Sequence, residues 1–181
     1  VVIGSARNFE PVYDLATLLK AVPIIAEDHP NVEVHVAGDG TQKEYLEKLT
    51  AELGLKDRVK FVGFLDQKRL ADFFRNIDIY VSTALSDGLS VTFLEATACG
   101  AFPVVADIAG NRFALQAGLE GRVFESQNPR DLAAKLKDLL QQPDAALQTG
   151  KKNSKIVCRS FGKHTVVDKM IEVYDELLTS V

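Results

Sequence analysis

The stretch Ser86-Asp87-Gly88-Leu89-Ser90-Val91-Thr92-Phe93-Leu94-Glu95-Ala96 decides the fold that we predict for this chain. An apolar run at 77–81 precedes it and predicts a strand, and a helical pattern follows it. A strand, a turn containing a glycine and the start of a helix form a suitable anion site, because free backbone amides point out of the helix N-terminus. We therefore predict that the amides of Leu89, Ser90 and Val91, directly after Gly88, bind phosphate.

Two carboxylates flank this predicted anion site. Asp87 lies in the turn, and Glu95 lies in the second turn of the helix among apolar neighbours, which predicts that it is partly buried. A partly buried carboxylate needs hydrogen-bond donors, and a sugar diol supplies two of them. The alternative is that Asp87 is a helix cap or turn residue and that Glu95 is a surface acid paired with a lysine. Both acids together at this spacing are less common by chance than either one alone.

The whole chain alternates between strand-like and helix-like patterns. Six short apolar runs predict strands at 1–4, 32–37, 59–63, 77–81, 103–106 and 121–124, with helical periodicity between them. This alternation predicts an α/β fold, a Rossmann-like six-stranded parallel sheet with helices on both faces, as one domain over residues 1–181. Asp66 and Asn128 are predicted helix caps. The terminal helix, 164–178, is predicted to turn its apolar face inward, with Val167, Met170, Ile171, Tyr174, Leu177 and Leu178 on that face.

Composition narrows the classes of function. The 181 residues are 46% hydrophobic and 25% charged, with a net charge of -4, which argues against a nucleic-acid-binding surface. Cys99 and Cys158 lack metal-ligand spacing, so we expect a reducing compartment, the cytoplasm. No apolar run approaches membrane-spanning length. Because the chain opens within a predicted strand and without methionine, we expect it to be a piece of a longer protein.

The loops at the carboxyl edge of the predicted sheet contain the other candidate site residues, because ligands of parallel sheets bind beyond this edge. Arg7 follows the first strand, where a guanidinium can clamp a diphosphate; the alternative is a surface pair with Glu10. Gly38 and Gly40 either let the backbone approach a ligand or simply form a turn. Residues 4–7 hold one glycine, so the dinucleotide fingerprint is absent, and the sequence contains no phosphate-loop motif.

In order and spacing, these features resemble the C-terminal, donor-binding half of family-four retaining glycosyltransferases, which have two Rossmann-like domains in the arrangement called GT-B. The resemblance covers nearly the whole chain. It rests on Arg7, Val36-Ala37-Gly38-Asp39-Gly40, Leu53-Gly54-Leu55, Arg58-Val59-Lys60-Phe61-Val62-Gly63, Asp78-Ile79-Tyr80-Val81-Ser82, Asp87-Gly88-Leu89-Ser90, Leu94-Glu95-Ala96, Ala98-Cys99-Gly100 and Pro103-Val104-Val105.

The resemblance implies a role for each candidate. Glu95 matches the second acid of the family's E-x7-E motif, which binds the nucleotide ribose, and Asp87 matches the first, near the donor sugar. Arg7 is the candidate for the phosphate-binding arginine, so Asp87 and Arg7 are the predicted catalytic residues. The amides of residues 89–91 would bind the diphosphate, and Val62 and Gly63 lie where the family places the base.

The resemblance also implies partners. The donor is a nucleoside-diphosphate sugar, and the acceptor is a carbohydrate or a lipid-linked molecule held by an N-terminal half. No metal, cofactor or nucleic acid is expected, and membrane contact is expected only through that other half, at the cytoplasmic face.

The chain departs from the family pattern in three places. Asp87 is one methylene shorter than the usual glutamate, Arg7 comes later after Gly4 than is usual, and residues 8–13 lack the usual lysine. A charge-assisted contact contributes about 1.5–3 kcal/mol, so losing the lysine predicts donor affinity about tenfold or more weaker. Arg112 is a candidate substitute. Two alternatives stay open: a non-catalytic scaffold or regulatory domain, and a nucleotide-sugar epimerase or hydrolase.

Overall fold

The computed structural model describes residues 1–179 as a parallel sheet covered by helices on both faces. The strands are β1 (Val2–Ala6), β2 (Glu33–Ala37), β3 (Val59–Gly63), β4 (Ile79–Ser82), β5 (Phe102–Ala106) and β6 (Arg122–Phe124). The helices are α1 (Leu15–Ala26), α2 (Lys43–Glu52), α3 (Gln67–Arg75), α4 (Val91–Ala98), α5 (Ala109–Gln116), α6 (Pro129–Leu140), α7 (Pro143–Phe161) and α8 (Lys163–Thr179), and a short 3-10 helix covers Pro11–Tyr13. The predicted fold class is confirmed.

The strand order is β3-β2-β1-β4-β5-β6, and every neighbouring pair is parallel. The chain runs outward from β1 to β3, returns to the centre at β4, and runs outward again to β6. β1 and β4 are joined through the pairs Ile3 with Ile79 and Gly4 with Tyr80. The chain leaves the neighbouring strands β1 and β4 toward opposite edges of the sheet, so the loops that follow these two strands diverge and leave a crevice between them. In sheets of this kind, ligands bind in that crevice.

A separate apolar core lies on each face of the sheet. On one face α1, α2 and α6 bury side chains such as Leu18, Leu46 and Leu136 against the strands. On the other, α3, α4, α5 and α7 do so, with Phe74 and Phe93 fully buried. Strands covered on both sides account for the continuous apolar runs in the sequence.

Both predicted helix caps are present. The carboxylate of Asp66 accepts a hydrogen bond from the amide of Arg69 at 2.9 Å, at the start of α3. The side-chain oxygen of Asn128 accepts from the amide of Asp131 at 3.0 Å, at the start of α6. Each cap satisfies an amide that the first helical turn leaves free.

The prediction for the terminal helix is wrong. α8 has no buried residue, and the six side chains predicted to face inward are 43% to 76% exposed: Val167, Met170, Ile171, Tyr174, Leu177 and Leu178. α8 packs against α7. A helical pattern identifies an apolar face, but it does not say what lies against that face.

Candidate functional site

The crevice between β1 and β4 brings together the two predicted catalytic residues. Arg7 directly follows β1, Asp87 lies in the loop after β4, and Nη2 of Arg7 is 2.8 Å from Oδ2 of Asp87. The Arg7 side chain is 9% exposed and that of Asp87 is 24% exposed. The contact is an ion pair. The crevice therefore holds a buried cation with a single acidic contact.

The alternative pairing of Arg7 with Glu10 is not found. Both carboxylate oxygens of Glu10 instead accept from Thr41, one from its amide at 3.0 Å and the other from its hydroxyl at 2.5 Å. These bonds, the hydroxyl bond foremost, lower the pKa of Glu10. Arg7 thus points into the crevice rather than to the outer surface.

Ser90 connects Arg7 to the start of α4. Its buried hydroxyl oxygen accepts from the amide of Phe93 at 3.2 Å, which caps the helix, and also accepts from Nη2 of Arg7. Asp87 is therefore not the cap, contrary to one alternative for that residue. The amides of Leu89, Ser90 and Val91 donate to no group in residues 1–179. These free donors lie where the helix dipole favours an anion.

Aromatic side chains border Arg7 on two sides. Its guanidinium carbon lies 5.2 Å from the centre of the Tyr13 ring, within the range of a cation–π interaction. Tyr80 of β4 is fully buried, and its ring stacks on Phe93 at 6.4 Å. Burial raises the pKa of the Tyr80 hydroxyl, so the hydroxyl stays neutral beside the charged pair. Tyr13 and Tyr80 were not predicted as site residues.

A cavity of about 210 Å³ opens next to Arg7. Its lining comes from the loops after β1, β2 and β3 together with α3 and α4: Ala6, Arg7, Asn8, Tyr13, Ala37, Gly38, Phe64, Leu65, Leu70 and Thr92. Val62 and Gly63 do not line it; the two residues that follow them do. Phe64 is 71% exposed, which is unusual for a phenylalanine and places an apolar ring at the cavity mouth. An apolar wall beside a cation suits a ligand with a flat ring and phosphates.

Gly38 shapes the cavity through a close backbone contact. Its φ is 141°, and a Cβ atom there would lie 1.9 Å from the carbonyl oxygen of Arg7. Its amide donates to the carbonyl of Gly63 at 2.9 Å. Gly38 therefore holds the loop after β2 against the backbone of Arg7, and it also lines the cavity. Gly88 is similarly close to Gly110, where a Cβ would lie 2.1 Å from the Gly88 carbonyl.

Glu95 lies one helical turn beyond Thr92, which lines the cavity, and residues three apart share a helix face. Its side chain is partly buried, as predicted. Within residues 1–179 its carboxylate has no salt bridge, so the pairing with lysine that was the alternative is not found. An acid of this kind keeps its acceptors available for a ligand hydroxyl.

Arg112 does not contribute a cation to the cavity. It forms two contacts with Asp107 at the end of β5, one of them 2.6 Å between Nη2 and Oδ2. Hydrogen bonding from Arg112 lowers the pKa of Asp107. Across residues 1–179 no cluster of three or more His, Cys, Asp or Glu side chains is arranged to hold a metal ion. None of the described helices has the length and hydropathy to span a bilayer.

Comparison with known proteins identifies relatives of this sequence. The family model for glycosyl transferases group 1 matches residues 1–156. D-inositol 3-phosphate glycosyltransferase from Thermobispora bispora is 30% identical over 96% of this chain and 42% of its own length. The enzyme of the same name from Streptomyces coelicolor is 28% identical over 97% of this chain and 40% of its own. The chain thus spans about two-fifths of these relatives.

Solved structures share the fold. Sucrose-phosphate synthase from Thermosynechococcus elongatus superposes on 99% of this chain with a TM-score of 0.88 at 22% identity, and the match covers 46% of that chain. HepE from Anabaena, solved with UDP-glucose, gives 0.86 at 22% identity over 97% of this chain and 48% of its own. TarM from S. aureus, solved with UDP, gives 0.86 at 19% identity over 96% and 35%. Since the family model matches most of the sequence, the chain belongs to the glycosyl transferases group 1 family.

Proposed function

We propose that this chain binds the nucleoside-diphosphate sugar donor of a retaining glycosyltransferase, as the C-terminal half of a GT-B enzyme. The observation that carries the proposal is the hydrogen bond from Arg7 to the Ser90 hydroxyl, which brings this cation to the start of α4, where the amides of residues 89–91 are free. A guanidinium and helix-start amides are the donors that a diphosphate requires. Family membership and the UDP and UDP-glucose bound to HepE support the same ligand class.

We propose a position for each part of the donor from the family resemblance and the cavity beside Arg7. The diphosphate lies between Arg7 and the amides of residues 89–91, and the base lies against Phe64, next to the predicted Val62 and Gly63. Glu95 accepts from the ribose hydroxyls, and Asp87 accepts from the sugar hydroxyls. These assignments follow the resemblance.

Arg7 and the amides then serve the chemical step. When the bond between the sugar and the diphosphate breaks, negative charge grows on the leaving phosphate oxygen. Donors already fixed around that oxygen stabilise the charge without reorganising. We propose that these groups carry that charge without a metal ion or a cofactor.

The remainder of the enzyme completes the reaction under this proposal. An N-terminal half holds a carbohydrate or lipid-linked acceptor and makes any contact with the cytoplasmic face of a membrane. No nucleic acid takes part. A cytoplasmic location is supported by Cys99 and Cys158, which are both free thiols.

Titration of the 181-residue chain with UDP-, GDP- and ADP-sugars tests the proposal, with amide chemical shifts as the readout. We expect at least one donor to shift the amides of residues 88–95, and Arg7→Gln to weaken that donor about tenfold to a hundredfold through loss of a charge-assisted contact. Arg75→Gln is the matched control, because Arg75 is exposed on α3 and pairs with Asp72. Absence of any response at residues 88–95 would refute donor binding.

A non-catalytic role for the same fold is the second candidate. The observation that favours it is Tyr13, an uncharged ring beside Arg7 where the family resemblance led us to expect a lysine nearby. Tyr13→Lys combined with Asp87→Glu in the intact parent protein separates the two functions. A donor site gains affinity from the added cation, whereas a scaffold shows unchanged binding.

A further inference from the structure

We propose that Asp87 competes with the diphosphate for Arg7, and so sets the preference of the site for sugar donor over free nucleoside diphosphate. The Asp87 carboxylate lies beside the Arg7 guanidinium, 2.8 Å from Nη2. The proposal rests on the proposed function, which places the diphosphate on this same guanidinium.

The ion pair between Arg7 and Asp87 is of a kind in which another anion can replace the carboxylate. It joins one nitrogen of Arg7 to one oxygen of Asp87. By contrast, Arg112 at the same edge of the sheet contacts Asp107 through two nitrogens and both carboxylate oxygens. Two aligned bonds hold a guanidinium more firmly than one contact does. The Asp87 carboxylate is therefore displaced from Arg7 by an incoming anion more easily than Asp107 is from Arg112.

Ser90 keeps Arg7 in place when Asp87 leaves. The Ser90 hydroxyl accepts from the same Nη2 and is itself fixed by its bond with the amide of Phe93. The backbone of Asp87 packs closely against Gly110, where a Cβ would lie 2.6 Å from the Asp87 carbonyl oxygen. Rotation of the Asp87 side chain is sufficient for the exchange.

The consequence differs between donor and product. A sugar donor offers hydroxyls that the displaced Asp87 can accept, so the carboxylate exchanges one partner for another. A free nucleoside diphosphate has no sugar on its terminal phosphate and its ribose hydroxyls are proposed to bind Glu95, so the displaced Asp87 carboxylate then faces a second anion. After transfer, Asp87 returns to Arg7 and assists release of the product.

Inorganic pyrophosphate tests the competition without a base or a sugar. We expect Asp87→Asn to raise the pyrophosphate affinity of the 181-residue chain about tenfold, because the competing charge is removed while the side chain keeps its size. Asp72→Asn makes the same charge change on the exposed surface of α3 and is expected to change affinity less than about twofold at physiological salt. Asp87→Ala should repeat the gain. Equal effects of Asp87→Asn and Asp72→Asn, or a loss of affinity in both Asp87 variants, would overturn the proposal.

UDP and UDP-glucose complete the test by calorimetry. We expect Asp87→Asn to strengthen the binding of UDP but not that of UDP-glucose. The dissociation constant of UDP, divided by that of UDP-glucose, should therefore fall. If no nucleotide binds while the pyrophosphate gain is present, the proposed function fails and the competition for Arg7 is upheld. If UDP-glucose binds and Asp87→Asn leaves the ratio unchanged, the proposed function stands and the competition is refuted.

Discussion

Replacing Gly38 with alanine puts a methyl group where the backbone of Arg7 now lies. The Cβ would be 1.9 Å from the Arg7 carbonyl oxygen, while ordinary contact begins at 3.4 Å, so Arg7 must move by about 1.5 Å. Such overpacking costs about 1–3 kcal/mol, and the φ of 141° adds about 1–2 kcal/mol for a residue with a Cβ. We expect Gly38→Ala to lose about 3 kcal/mol of stability, which lowers the melting temperature by about 6–12 °C.

Gly54→Ala separates the two causes. Gly54 has a φ of 68°, and a Cβ there would meet no atom within 4 Å, so alanine incurs backbone strain alone. We expect a loss of about 1 kcal/mol and a melting temperature lower by about 2–4 °C. Thermal unfolding by circular dichroism measures both variants, and pyrophosphate titration below the melting temperature measures the displacement of Arg7. If Gly38→Ala unfolds at the same temperature as Gly54→Ala and binds pyrophosphate like the wild type, the proposed support of Arg7 by Gly38 is wrong.

Three further predictions concern Ser90, Glu95 and Asp66. Ser90→Ala removes a helix cap and is expected to lower the melting temperature by about 2–4 °C, from about 1 kcal/mol, with weaker pyrophosphate binding; an unchanged melting temperature would contradict the capping role. Glu95→Gln is expected to weaken the nucleoside diphosphate about tenfold and leave pyrophosphate unaffected, because its proposed partner is the ribose; equal effects on both ligands would exclude that role. The amide of Arg69 lowers the pKa of Asp66, so this carboxylate stabilises the fold above its ordinary pKa and loses that effect as pH falls through its folded value. Asp66→Ala should therefore lower the melting temperature at pH 7, and the difference from wild type should shrink near pH 2; a difference that persists would refute the cap's charge dependence.

The sheet could be predicted from the sequence because burial on both faces leaves apolar runs that are visible one strand at a time. The caps at Asp66 and Asn128 could be predicted for a similar reason, since each acts on amides within three residues. The apolar face of α8 was visible too, but its surroundings depend on elements far away in the chain, and the inward orientation was wrong.

The site was predictable residue by residue but not as a set of contacts. Arg7 and Asp87 were each placed at the carboxyl edge, yet their ion pair depends on β1 lying next to β4, which strand order alone decides. Phe64 and Tyr13 were missed because no motif distinguishes an aromatic residue in a loop from one in a core. Their positions in loops after β3 and β1 were the available signal.

The pairing of β1 with β4 at the centre of the sheet links folding to ligand binding. Arg7 follows β1, in the half of the sheet formed by β1 to β3, whereas Asp87 and Ser90 follow β4, in the half formed by β4 to β6; the two halves are joined through the pairs Ile3 with Ile79 and Gly4 with Tyr80. Neither half of the sheet alone contains the complete set of anion-binding groups, so we expect ligand affinity only once β1 has paired with β4. We expect a bound diphosphate to slow amide hydrogen exchange along β1 and β4 more than along the outer strands, because the ligand contacts both halves of the sheet and stabilises their pairing.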